Sequence, residues 1–239
     1  MKNPPQFLFL LVLCCILAFS HSAMGQPNKL YPILNDEVKY LYKEFDNIDE
    51  VRRIYLDRIV TQFKDKILDG EAIDVTLIDY ANGAISQMAQ AWAMAAAYYY
   101  GHPEFKFYSG GIGKKEINTL TIQTLEHFGF IIYKNLDDGK PIYEVYYSYG
   151  VKPFYLFPKK YRHHYNPASN FIAITLQDAA EMNLPMIKGA LFRESIDFTD
   201  PAGYLGREDE REKYRDVSRK IALEMFYIFS KLKHVRPNG

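Results

Sequence analysis

Cysteine is almost missing from this chain. Of 239 residues only Cys14 and Cys15 are of that type. Beyond Cys15, then, no disulfide can form, and no thiolate can attack a substrate or ligate a metal. Neither sign of charge is in excess, with 29 basic and 29 acidic residues, so no bulk field draws the chain to nucleic acid or to anionic lipid. The apolar run from Phe7 to Ala18 is shorter than the roughly 20 residues a membrane span needs. There is no internal repeat and no low-complexity segment.

What is present begins with that run. Lys2 precedes it, and a polar step and Ala23-Met24-Gly25 follow. A basic start, an apolar middle and a small-x-small site read as a secretory signal, cleaved after Gly25. The expectation is an exported protein, periplasmic or secreted, with no membrane contact beyond export. Cleavage removes both cysteines and a single lysine, which leaves the charge near balance. A chain of this size buries on the order of 70% of its unfolded surface, enough for one core.

Asn35-Asp36-Glu37 reads as a helix start, with Val38, Leu41, Tyr42 and Phe45 at helical spacing. A second helix is expected from about Glu50 to Ile67, with Val51, Tyr55, Ile59, Phe63 and Ile67 as its apolar stripe, closed by Gly70. From Ile73 the rhythm becomes alternating strand and helix. Strands are expected at 73–78, 105–109, 130–133, 142–147, 153–157, 171–176 and 190–196, and helices at 84–100 and 115–128. Asp137-Asp138-Gly139-Lys140 is a turn signal. The last helix carries the seam Tyr214, Val217, Ile221, Met225, Ile228 and Leu232, with acids at its start and bases at its end. This alternation predicts an α/β fold of three layers around a central parallel sheet of about four strands, with ligands at the carboxyl ends of the strands. The expected division is a signal at 1–25, an N-terminal helical extension at 26–70 and the α/β body at 71–239.

One stretch carries the functional argument: Asp79, Tyr80, Ala81, Asn82, Gly83, Ala84, Ile85 and Ser86. It lies between the apolar strand and an alanine-rich helix. A strand, a turn of small residues and a helix start make an anion site, because the free N–H groups of the first helical turn point into the loop.

Here the chain resembles the low-molecular-weight protein tyrosine phosphatase and arsenate reductase superfamily, and in particular a bacterial branch with an N-terminal helical extension. The resemblance rests on the strand before Asp79, Asn82 in the loop, Ser86-Gln87-Met88-Ala89 opening the helix, Tyr108-Ser109-Gly110-Gly111, Asp200-Pro201 and the Lys213–Ser230 stretch of the last helix. The family's loop is a cysteine, five residues, an arginine and a serine or threonine. The cysteine attacks phosphorus, the amides and arginine hold the oxygens, and a late aspartate protonates the leaving oxygen. By that resemblance the cysteine position falls on Asp79 and the arginine position on Ile85. The serine is kept as Ser86 and the late acid as Asp200. Arsenate reduction needs further cysteines for a redox relay, and residues 26–239 have none.

The resemblance therefore implies a phosphatase-like protein without phosphatase chemistry, which acts by binding a small molecule or a protein. The alternative is a phosphoric-ester hydrolase of the tyrosine phosphatase type with non-standard residues, for which Asp79, Asp200 and Ser86 are the available actors. Asp79 itself reads as an aspartyl nucleophile working with magnesium, as a polar strand end bonded to the loop amides, or as part of an altered ligand-binding loop. Asp200 reads as a remnant acid or as a turn residue. His163-His164, beside Lys159, Lys160 and Arg162, is read as a solvated basic loop and not as a metal site. The tyrosines at 98–100, 143, 146, 147, 149, 155, 161 and 165 are a recognition surface or ordinary sheet packing. Trp92 is assigned to the core. No metal or cofactor is expected.

Overall fold

The computed structural model describes residues 29–113, 116–184 and 186–238. The signal segment and its cleavage site lie outside these. The chain opens with α1 (Pro32–Glu44), a helical turn at Phe45–Asn47 and α2 (Glu50–Leu68). Next come β1 (Ile73–Asp79), α3 (Ile85–Tyr99), β2 (Phe105–Gly111) and α4 (Thr119–His127). The remainder is β3 (Ile131–Asp137), β4 (Lys140–Tyr146), β5 (Phe154–Leu156), β6 (Phe171–Thr175), α5 (Asp178–Asn183), β7 (Ala190–Ser195), a helical turn at Pro201–Tyr204 and α6 (Glu210–Leu232).

The expected sheet is present: four parallel strands in the order β2-β1-β6-β7. Side chains alternate along β1 and β6. Ile73, Val75, Leu77, Ile172 and Ile174 face the large core under the helices, whereas Ile78, Phe171 and Ala173 face a smaller cluster with Leu184 and Ile187. Helix α6 crosses the large core and is buried at positions around most of its circumference, because α1, α2, α3 and α4 all pack on it. Trp92 is in that core as expected. Its Nε1 donates to Ser218 Oγ at 2.9 Å, and its ring meets Phe128, Phe130 and Phe226.

Two sequence expectations are corrected, and one question the sequence leaves open is answered. Helix α1 starts at Pro32, not Asn35. Proline at the first helical position has a preset φ and loses no hydrogen bond. The stripe of α2 begins at Leu56, while Val51 and Tyr55 are exposed. In that first turn Arg52 faces inward to pair with Glu224, and an i+4 count of apolar residues misses a buried charge pair. The strands expected at 130–133, 142–147 and 153–157, which the sequence leaves unassigned to a sheet, do not join the central one. They form a separate antiparallel sheet, β3-β4-β5, turned at Asp138-Gly139, both with positive φ. Its inner face adds Val145, Phe154 and Leu156 to the large core.

Candidate functional site

The loop 79–86 is placed by strand alternation. Asp79 is in phase with Val75 and Leu77, so its side chain points to the α3 side of the sheet and meets the first turn of that helix. The residue is 3% exposed. One carboxylate oxygen accepts the amide of Asn82 and the other accepts the amide of Ser86 at 2.9 Å. Burial pushes this carboxyl above the usual aspartate range. The bonds from Ser86 and Asn82 oppose that shift, and the nearby charge of Asp200 adds to it.

Asn82 makes the loop's sharp turn at φ +54°, in the left-handed region that asparagine tolerates. It is fully buried. Its Nδ2 donates to Ser86 Oγ at 2.9 Å, and its Oδ1 accepts the Lys159 amide at 2.8 Å. Its carbonyl accepts Gln87 Nε2 at 3.0 Å. The carbonyl of Gly83 takes bonds from the Asn118 amide and from Thr121 Oγ1. On the β2 side the Ile112 amide donates to Asp79 O and the Gly113 amide to Tyr80 O. Gly111 permits this closeness, since a Cβ there would lie 2.7 Å from Gly113 O and 2.9 Å from Asn82 N.

Asp200 is brought to the same end of the sheet. Its Oδ1 caps the Pro201–Tyr204 turn by accepting the Ala202 amide at 2.9 Å, while its Oδ2 accepts Gln177 Nε2 at 3.4 Å. Gln177 Oε1 in turn accepts the Tyr80 amide at 2.8 Å. Asp79, Asn82, Ser86 and Asp200 are thus joined around one loop. Ile85 starts α3 with its side chain buried in the large core. It presents nothing that could hold an oxyanion.

Sequence reasoning overlooked Gln177, which spans the loop and Asp200, and it misplaced Lys159. Lys160 and Arg162 are exposed as a solvated basic loop requires, but Lys159 is 1% exposed. No local sequence signal marks it: residues 159–161 bond to Gly111 in parallel fashion, and that pairing turns alternate side chains inward. Among the described residues no group of three His, Cys, Asp or Glu side chains gathers to hold a metal ion.

Chemically, the loop offers amide donors and holds them on a carboxylate of its own. A tethered anion stands where a free oxyanion would accept the same N–H groups. Incoming phosphate would meet the charges of both Asp79 and Asp200.

No family model matches this chain, and a search of curated proteins found no match. Among solved structures, it is similar to an arsenate reductase described in the phosphate binding state, at 16% identity and a TM-score of 0.43, covering 66% of this chain and 98% of that one. An arsenate reductase from Archaeoglobus fulgidus DSM 4304 gives 18%, 0.37, 62% and 95% for the same measures. A low-molecular-weight phosphotyrosine phosphatase from Vibrio cholerae O395 gives 10%, 0.43, 68% and 97%.

Proposed function

We propose that this is an exported, phosphatase-like protein that carries out no phosphoryl transfer and acts by binding. The observation that carries the reading is the Asp79 carboxylate seated on the Asn82 and Ser86 amides. Phosphoryl transfer of this type needs a nucleophile at that position and a cation at the other end of the loop. A buried carboxylate already engaged with two amides is a poor nucleophile. An aliphatic side chain at 85 removes the bidentate clamp. One lost donor to transition-state charge costs about 3 kcal/mol, before the missing nucleophile is counted. Asp200, occupied as a cap and bonded to Gln177, has no leaving group to protonate.

The ligand that suits such a loop is neutral or cationic, because Asp79 and Asp200 oppose an anion. It is a small molecule or an exposed side chain of a protein partner. Export rests on the basic start, apolar run and small-x-small site of residues 1–25.

The test is p-nitrophenyl phosphate hydrolysis by purified protein. Wild type is expected to show no turnover above a blank without protein. Turnover in wild type that disappears in Asp79→Ala would make Asp79 a nucleophile and end this reading.

A further inference from the structure

Beneath the loop lies a buried amine with no counter-charge among the described residues. Lys159 Nζ bonds to Ser109 Oγ at 3.2 Å and to Phe157 O at 3.4 Å, both uncharged. Ser109 Oγ donates onward to Gln87 Oε1 at 3.4 Å. Gln87 Nε2 bonds to Asn82 O at 3.0 Å and to Phe157 O at 3.1 Å. The backbone of Lys159 closes the ring: its amide donates to Asn82 Oδ1, and its carbonyl accepts the Gly111 amide at 3.0 Å. One residue therefore ties the turn of the loop, the end of β2 and the first turn of α3 together.

We propose that Lys159 is a proton-operated lock on the loop: the uncharged amine, seated on Ser109 and Phe157, keeps the Lys159 backbone amide on Asn82 and so holds the 79–86 turn closed, and protonation of that amine loosens it. The inference takes this loop to be the site of the proposed function, but it is read out with no ligand present, so either can fail alone.

The chemistry follows from the surroundings. A neutral amine is satisfied by two acceptors. An ammonium carries three N–H donors and a charge, and it needs water or a carboxylate. β2 presents Ser109 to the amine, and α3 presents Gln87 to Ser109, while Asn82 of the loop meets the Lys159 backbone amide. The 157–166 segment presents the rings of Phe157 and Tyr165, 4.2 and 5.7 Å from Nζ. Tyr165 is the titratable group among these, and burial raises its phenol. Lys160 and Arg162 flank the segment with like charge, and His163 packs its ring against Phe157 at 5.6 Å. The aromatic faces favour a cation but do not replace an anion. Burial lowers the Lys159 amine from 10.5 to about 7. An open loop would return the amine to water and to its ordinary value. Opening therefore takes up a proton, and it becomes easier as pH falls from about 10.5 toward 7.

The experiment is amide hydrogen exchange across residues 82–86, corrected for intrinsic rate, from pH 9 to pH 6. Protection in wild type is expected to fall about 50-fold between pH 9 and pH 7 and by only about twofold more below 7. Lys159→Met is expected to remove that slope, and His163→Asn to keep it. As a second readout, the Lys159 Cε resonance is expected to titrate near 7. A wild-type profile flat from pH 9 to 7, a slope that persists in Lys159→Met, or a Cε titration near 10 would each overturn the lock.

Discussion

Asp79 and Lys159 are opposite cases of one effect. Each is an ionisable group taken out of water, and each is shifted toward its neutral form. Asp79 is partly compensated by amide donors, whereas Lys159 has no charged partner among the described residues. That difference gives a prediction for global stability. Between pH 7 and 10.5 the unfolded chain binds a proton at position 159 that the native state lacks, so wild-type stability should rise across this window and be independent of this group below 7. Denaturant titration of wild type against Lys159→Met should show the variant gaining most at pH 7, with its advantage shrinking by about 2 kcal/mol by pH 9. A constant difference across the window would mean that the amine stays charged in the native state. The residue scale is also where the sequence was least readable. Asp79, Asn82 and Ser86 stood out because a strand, a turn and a helix start frame them. Lys159 did not, since Pro158, Lys160 and Arg162 around it are what a surface loop would carry, and only the pairing with Gly111 turns its side chain inward.

Among elements, the attachment of α2 to α6 rests on a charge pair set in apolar packing. Arg52 Nε and Nη2 donate to the two oxygens of Glu224 at 2.9 and 2.8 Å, and Glu224 is 1% exposed. Burial raises the Glu224 carboxyl even with Arg52 beside it. Arg52→Ala should cost about 3–5 kcal/mol by leaving a buried carboxylate unpaired, and Arg52→Met with Glu224→Met should cost much less than that. A double-mutant cycle by urea denaturation checks this, and a loss under about 1 kcal/mol for Arg52→Ala would show that the pair does not hold the helix. This pair also explains the misread stripe of α2. Apolar periodicity found Ile59, Phe63 and Ile67 but had no way to see that Arg52 would replace Val51 as the inward residue of the first turn. By contrast, the Asp138-Gly139 turn and the seam of α6 follow from local chemistry and were legible.

For the whole molecule, the parallel sheet was legible because strand and helix patterns alternate. The separate β3-β4-β5 sheet was not, because nothing in a strand's own sequence says which sheet it joins. The N-terminal helices share the body's core: Leu34, Val38, Leu41, Leu56, Ile59, Phe63 and Ile67 are buried in the cluster that holds Val75, Phe105 and Phe229. Phe63 touches the rings of Phe105, Phe107 and Phe229. A chain that begins at Glu71 should therefore lose cooperative thermal unfolding by circular dichroism, while a chain that begins at Gln26 keeps it. A sharp transition in the shorter chain would make the helices an appendage.

The central claim is that the loop is closed on its own carboxylate. Isothermal titration of inorganic phosphate into wild type and into Asp79→Ala addresses it directly. The expected result is no binding to wild type and measurable binding to Asp79→Ala, whose Asn82 and Ser86 amides have lost their acceptor. Phosphate binding to wild type, with Asp79→Ala no better, would contradict the account.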